Sequence, residues 1–120
     1  MKTGRKISGG KYHRARKSKH YEKRNQDRIS VLKETKRKQL RTRGGHAKTI
    51  LLSSNIANIV SKGKVQKAEI LNVLETPQNT FFARQNRLMK GAIIKTSLGK
   101  ARITNRPTQE GHVNAILIAE

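Results

Sequence analysis

The chain has 120 residues, with 28 Lys and Arg against 7 Asp and Glu, and its net charge is +21. Like charges at this density repel one another until salt or a polyanion relieves them, so the composition predicts a soluble intracellular protein that binds a polyanion. The absence of cysteine excludes disulfides, thiolate zinc sites and cysteine nucleophiles. No uncharged apolar run approaches the ~18 residues of a membrane-spanning helix, and Met1–Lys6 leads into no apolar stretch, so we expect no secretory signal.

Basic and apolar residues lie in different parts of the chain. Residues 1–48 hold 18 Lys and Arg, 3 acids and only 10 apolar residues, whereas residues 49–120 hold 10 basic residues, 4 acids and 30 apolar residues. The first part cannot bury enough apolar surface to offset the entropy of ordering it, but the second can. We therefore predict a basic arm over residues 1–27, disordered or ordered by a partner, and a compact module over residues 28–120.

The arm lacks the pattern of a membrane-binding helix. Between residues 11 and 24 its only apolar side chains are Tyr12, Ala15 and Tyr21, which make no continuous helical stripe. Before them, Ser8-Gly9-Gly10 interrupts regular structure and allows a sharp turn or a close approach of the backbone to a phosphate. We expect no membrane partner.

Strand signals begin at residues 29–31, which alternate with period two. Two β-compatible runs then flank Gly44-Gly45, which predicts a hairpin with a two-residue turn because such turns need positive φ at their central residues. Alternation along the first strand would place Arg37, Arg41 and Arg43 on one face. These cations are either a solvated strand edge that prevents aggregation or, as we expect, a nucleic-acid contact.

The middle of the chain is ambiguous. Apolar residues over 56–60 fit a helical spacing, and residues 68–74 fit either a helix or a strand. Thr76-Pro77 ends that element, since the residue before proline avoids the α region. Residues 79–89 predict a short helix or an irregular loop.

The last third carries the clearest β pattern. Strands are predicted over 92–98 and 100–105, joined at Gly99, and over 113–119 after Arg106-Pro107 stops the second of them. Lys100 and Arg102 would share an outward face. Short strands linked by glycine turns predict a mainly β fold, a small antiparallel β-barrel that follows an extended basic N-terminal arm.

Local spacing supports neither catalysis nor metal binding. The seven acids are scattered, with no pair placed for acid–base work. His13 and His20 lie among cations that repel a metal ion, and no glycine pair matches a nucleotide-binding fingerprint. We expect no enzyme, no metal and no cofactor.

Among polyanions, RNA fits best, because a basic arm without its own core is typical of segments that fold on RNA. The scarcity of aromatic residues predicts contacts to phosphate and shape rather than base stacking. A DNA-compacting chromatin protein is the alternative, since backbone binding needs only cations. An RNA-modifying enzyme is a more remote one.

Six stretches also resemble a known family: Lys6-Ile7-Ser8-Gly9-Gly10-Lys11, Arg41-Thr42-Arg43-Gly44-Gly45, Gly63-Lys64-Val65-Gln66-Lys67-Ala68, Lys90-Gly91-Ala92-Ile93-Ile94, Gly99-Lys100-Ala101-Arg102 and Val113-Asn114-Ala115. Spread over nearly the whole chain, they resemble the archaeal and eukaryotic small-subunit ribosomal protein family called eight-e, and the compact module is similar to archaeal members. The chain departs at Tyr21–Asn25, where the family more often has a Glu-Leu-Gly-like turn.

The resemblance implies a structural constituent of the small ribosomal subunit in the cytoplasm, bound to its ribosomal RNA beside neighbouring ribosomal proteins, and not a homo-oligomer. It implies a β-barrel with a basic extension threaded among RNA helices, and it favours a strand over 68–75. The residues predicted to contact RNA are cations and small residues of the arm and cations of the module: Arg5, Lys6, Ser8, Gly9, Gly10, Lys11, Arg14, Arg16, Lys17, Lys19, Lys23, Arg24, Arg37, Arg41, Arg43, Lys48, Lys100 and Arg102.

Overall fold

A computed structural model of the chain describes residues 4–13, 16–22, 27–61 and 63–118. Strands dominate this part of the chain, which confirms the mainly β prediction. The strands and α-helices are β1 (Lys36–Arg41), β2 (Ala47–Ser53), β3 (Ile56–Ser61), β4 (Lys64–Glu75), α1 (Thr80–Arg84), β5 (Ile93–Thr96), β6 (Gly99–Ile103), α2 (Pro107–Glu110) and β7 (Asn114–Leu117).

Strands β3 to β7 form a closed barrel, and β1 and β2 form a separate hairpin. The long strand β4 pairs with β3 along its first half and with β5 along its second half, where register shifts at Ile70/Asn72 and Val73/Glu75 mark irregularities. Irregularities of this kind bend a strand and so help a small sheet to close. The predicted barrel is therefore present, but it is not wholly antiparallel, because β3 runs parallel to β7.

Alternation along the strands separates the barrel core from its surface. Ala101 and Ile103 of β6 are buried while Lys100 and Arg102 between and beside them are exposed, as the sequence predicts. The core combines small with large side chains, which fits the narrow interior of a five-stranded barrel. Its members include Ala57, Ala68, Ala92, Ala101 and Ala115 together with Ile59, Ile70, Ile94 and Ile103.

The hairpin packs against the barrel through β2. Ile50 and Leu51 are both buried, and Leu51 belongs to the barrel core cluster. The hydroxyl of Ser30 donates to the carbonyl of Leu51 at 2.8 Å, and the Leu88 amide donates to the carbonyl of Ser30 at 2.8 Å. Residues 29–31 therefore fasten the hairpin to the segment after α1, with Val31 in isolated bridges rather than in a strand.

The helical interpretation of residues 56–60 is wrong, since they form β3. Gly63, with φ of +77°, lies in the turn that leads into β4, and β3 is hydrogen-bonded on both sides by β4 and β7. Residues 68–74 lie within β4, as the family resemblance favours. Both readings of 79–89 hold in part: Asn79 caps the short helix α1 by accepting a hydrogen bond from Phe81, and an irregular segment follows.

Candidate nucleic-acid interface

The predicted contacts at the start of the arm lie in one exposed turn. Arg5 and Lys11 form an isolated antiparallel bridge, and the Arg5 guanidinium donates to the carbonyl of Gly9 at 2.9 Å. Backbone bonds link Lys6 with Gly9 and with Gly10, each at 2.9 Å. Gly9 has φ of +79°, a conformation that side chains with a Cβ rarely adopt, so the turn needs a glycine there. All residues from 4 to 13 are exposed, so the turn presents three cations to solvent.

A second arm segment, residues 16–22, is organised by its one acid. Nη1 and Nη2 of Arg16 donate to the two carboxylate oxygens of Glu22 at 2.9 and 2.7 Å. Glu22 also accepts from the backbone amide of Lys19 at 3.0 Å, beside a turn of 3-10 helix over His20–Glu22. This hydrogen bond to Glu22 raises the pKa of Arg16. Arg16 is therefore an ion-paired cation, whereas Lys17 and Lys19 are exposed; the predicted contacts Arg14, Lys23 and Arg24 lie outside the described residues.

The three arginines of the hairpin that were predicted to contact RNA do not all lie on one strand face. Arg37 and Arg41 share one face of β1, but Arg43 lies beyond the strand in a turn of 3-10 helix over Arg43–Gly45, so the three do not share a strand face. The connection is longer than the expected two residues, because the Thr42 amide bonds the carbonyl of His46 at 2.7 Å, although Gly44 and Gly45 both have φ of +81° as expected.

Two of the module cations bind the protein itself. Nε of Arg37 donates to the carbonyl of Gly111 at 2.9 Å, which ties β1 to the loop before β7. Nζ of Lys48 donates to the side chain of Gln109 in α2. These contacts hold the hairpin against the barrel, whereas Arg41 and Arg43 remain exposed at its far end.

On the barrel, Lys100 and Arg102 lie on the outward face of β6, as predicted. Lys95 of β5 is the register partner of Lys100, which adds a cation that the sequence analysis did not select. The outward face of this β5–β6 pair is therefore basic, with Lys95, Lys100 and Arg102 on adjacent strands.

Sequence reasoning missed a further group of cations that line a cleft of the module. Arg28, Arg87, Lys90 and Arg106 come from three separate segments and line this cleft together. The local signal was present in the run from Phe81 to Arg87, where two adjacent aromatic residues are followed by two arginines. Aromatic and basic residues placed close together are typical of nucleic-acid contacts.

Beside this cleft, a charged network orders the loop between α2 and β7. Glu110 accepts from Nδ2 of Asn105 at 2.9 Å and from the backbone amide of Arg106 at 3.3 Å, and its carboxylate lies 3.8 Å from Nε2 of His112. The bond from Asn105, then the bond from Arg106, lower the pKa of Glu110 below its usual value. Its ionised form is therefore favoured in the folded protein.

We expect this network to make stability depend on pH in acid. Because the pKa of Glu110 is lower in the folded state, its contribution is present above the ordinary value of 4.5 and is lost as the pH falls through the folded-state pKa. The midpoint temperature of thermal unfolding should therefore be different for the chain and for its Glu110→Gln variant at pH 6, and the two midpoints should converge toward pH 3. Parallel profiles over that range would show that the carboxylate charge is not involved.

Neither a metal site nor a membrane span is found in the described residues. No three His, Asp or Glu side chains come together there in a way that could hold a metal ion. None of the helices there is long and apolar enough to cross a membrane.

The closed barrel and its exposed cations define a small, basic β-barrel protein with a cationic N-terminal segment. A family model described as "Ribosomal protein S8e" matches residues 1–118. The chain is similar to the protein named "Small ribosomal subunit protein eS8" of Methanocorpusculum labreanum, at 42% identity over 98% of this chain and 95% of the relative. Proteins of the same name from Halorubrum lacusprofundi and Methanosarcina barkeri are 38% and 41% identical, covering 98% and 95% of this chain and 95% and 93% of the relatives.

The chain belongs to the ribosomal protein S8e family. These three archaeal relatives have nearly the same length as the chain, which agrees with the compact module that the sequence predicts. Members of this family are structural components and not enzymes.

Proposed function

We propose that this chain is a structural constituent of the small ribosomal subunit in the cytoplasm, and that it binds ribosomal RNA through a cationic arm and the basic surface of its barrel module. In this proposal residues 1–27 are the arm and residues 28–120 are the module. Membership of the S8e family supports the ribosomal role, and the name of the relatives, small ribosomal subunit protein, supports the small subunit. Membership of the family also supports neighbouring ribosomal proteins as further partners.

The exposed turn over residues 5–11 carries most of the argument for RNA contact. It presents Arg5, Lys6 and Lys11 on a short loop whose backbone is closed by its own hydrogen bonds and whose Gly9 and Gly10 have no side chains. A phosphate can approach such a backbone closely while cations neutralise its charge. An apolar side chain, Ile7, stands fully exposed at the turn, which is unfavourable in water and is relieved when a partner covers it.

Binding would be driven by release of counterions from the RNA. Each Lys or Arg that neutralises a phosphate releases condensed salt ions, so affinity falls steeply as salt rises. The proposed arm holds ten Lys and Arg but only two acids, Glu22 and Asp27, so nearly all of its charge is available for this exchange. The arm would thereby screen the repulsion between RNA helices where they approach one another.

Sedimentation tests the proposal. The full chain, carrying a small epitope tag, should co-migrate with small ribosomal subunits in a gradient at low salt and leave them at high salt or after ribonuclease treatment. Recovery with chromosomal DNA alone, insensitive to ribonuclease, would contradict the proposal in favour of a chromatin protein.

A further inference from the structure

One cleft of the module brings together residues far apart in the sequence. It has a volume of about 560 Å³, within the range of ~300–1,000 Å³ that is usual for small-ligand sites. Residues 27–30 form one side, the segment from Phe82 to Lys90 forms another, and residues 106–109 form the third. None of these segments was selected as a binding site from the sequence.

The rim of the cleft is strongly basic. Arg28, Arg87, Lys90 and Arg106 line it, against one acid, Asp27. In the part of the chain that the structure describes, none of these four cations takes part in an ion pair. Four cations that line one cleft with a single acid repel one another, and an anion between them relieves that repulsion.

The lining of the cleft also includes apolar side chains and one aromatic ring. Leu88 and Pro107 are buried in its wall, and the half-buried ring of Phe82 faces the guanidinium of Arg87 at 4.3 Å from the ring centroid. At this distance the ring and the cation attract each other, so Phe82 holds Arg87 in place. Planar guanidinium groups and aromatic rings are the surfaces on which unstacked RNA bases pack.

One hydrogen bond joins two of the three walls of the cleft, and a second bond closes one of these walls on itself. The Leu88 amide donates to the carbonyl of Ser30 at 2.8 Å, and the side chain of Gln78 donates to the carbonyl of Lys90 at 2.6 Å. These bonds connect residues that are distant in the chain, so the cleft exists before a ligand arrives. A preformed site loses less entropy on binding than one that must be ordered.

We propose that this cleft takes a single unpaired nucleotide of the bound RNA, with the base against Arg87 and Phe82 and the adjoining phosphates against Lys90, Arg106 and Arg28. This inference rests on the proposed RNA binding and adds to it a site that reads whether a nucleotide is unstacked. An acidic peptide would satisfy the cations but has no flat aromatic group for the Phe82–Arg87 pair. A fully paired RNA helix would keep its bases stacked and out of the cleft.

Fluorescence of a bulged base tests the site. The probe is an RNA hairpin with one bulged 2-aminopurine, compared with the same hairpin fully paired, and binding to the full chain is measured at about 0.3 M salt to suppress non-specific contacts. We expect the bulged hairpin to bind about tenfold to a hundredfold more tightly, since stacking of one base on an aromatic surface contributes that much. The 2-aminopurine emission should change on binding because the base gains a stacking partner.

The chain offers a matched control variant. Arg87→Gln should abolish the preference for the bulged hairpin, as should Phe82→Leu, which keeps an apolar side chain at the site. Arg84→Gln removes the same charge from a similar pair, in which Arg84 lies 5.7 Å from the ring centroid of Phe81 outside the cleft, and should keep the preference. Circular dichroism checks that all three variants fold.

The outcomes separate this site from the proposed function. Equal, tight and salt-dependent binding of both hairpins would overturn the nucleotide site while leaving RNA binding intact. Failure to bind either hairpin or the subunit RNA at low salt would overturn both. Micromolar binding of free AMP, lost in Arg87→Gln, would overturn the RNA site in favour of a site for free nucleotides, and an acidic peptide that competes as well as the bulged hairpin would overturn it in favour of a protein partner.

Discussion

Replacing the arm cations with glutamine should weaken RNA binding about a thousandfold or more at 0.1 M salt and leave the fold intact. The change covers the nine positions Arg5, Lys6, Lys11, Arg14, Arg16, Lys17, Lys19, Lys23 and Arg24. If about two thirds of them contact phosphates, the slope of log affinity against log salt should become shallower by about five, since each contact contributes about 0.9. Filter binding to small-subunit ribosomal RNA over a salt series measures both quantities.

Two triple variants, each lacking three lysines, test whether the RNA contacts are concentrated in the arm or come from positive charge anywhere on the protein. Lys6, Lys11 and Lys17 changed together to glutamine should lower the slope by about two to three. The same change at Lys33, Lys64 and Lys67, exposed lysines of the module that we did not place in the interface, should lower it by less than one. Equal effects of the two triple variants would show that the contacts are not concentrated in the arm.

Gly111→Ala should destabilise the module by about 2–3 kcal/mol, a large part of the stability of a small domain. Gly111 has φ of +79°, and a Cβ there would lie 3.0 Å from Cγ2 and 3.2 Å from the backbone oxygen of Thr49. The Thr49 side chain could rotate away from the new Cβ, but the Thr49 backbone in β2 could move only if the hairpin loosened. The bond from Arg37 to the carbonyl of Gly111 would be disturbed as well. Urea unfolding followed by circular dichroism measures the loss.

Gly45→Ala is the matched control for this effect. Gly45 has φ of +81°, nearly the same backbone conformation, but nothing lies within 4 Å of a Cβ built on it. The Gly45→Ala variant should lose only the ~1 kcal/mol of stability that an alanine costs in the left-handed region. If both substitutions cost the same, contact with Thr49 is not the reason that position 111 is a glycine.

Several parts of the fold could be predicted because their signals are local. The alternation of Ala101 and Ile103 with Lys100 and Arg102 needs only the period-two geometry of a strand, and it is seen in the burial of β6. Gly44 and Gly45 marked the turn of the hairpin because few other residues adopt positive φ. The mainly β class followed from such signals in sum.

The pattern over residues 56–60 shows where local reasoning failed. Ile56, Ile59 and Val60 satisfy a helical spacing, yet a segment this short has too few hydrogen bonds to be stable as an isolated helix. In β3 the same residues are bonded to β4 on one side and to β7 on the other. The partner β7 lies far along the chain, so no window of the sequence contained the information.

The sequence by itself determined that this protein has a cationic arm and an apolar β module, because charge, periodicity and turn residues act over a few positions. The lack of cysteine follows directly from the composition. Only the tertiary structure decided which cations are used internally and which converge. Arg37 bonds a carbonyl 74 residues away, and Arg28, Arg87 and Arg106 meet around one cleft. These long-range contacts depend on how the strands pair and how the barrel closes. The free energy of barrel closure is shared among contacts between residues distant in sequence.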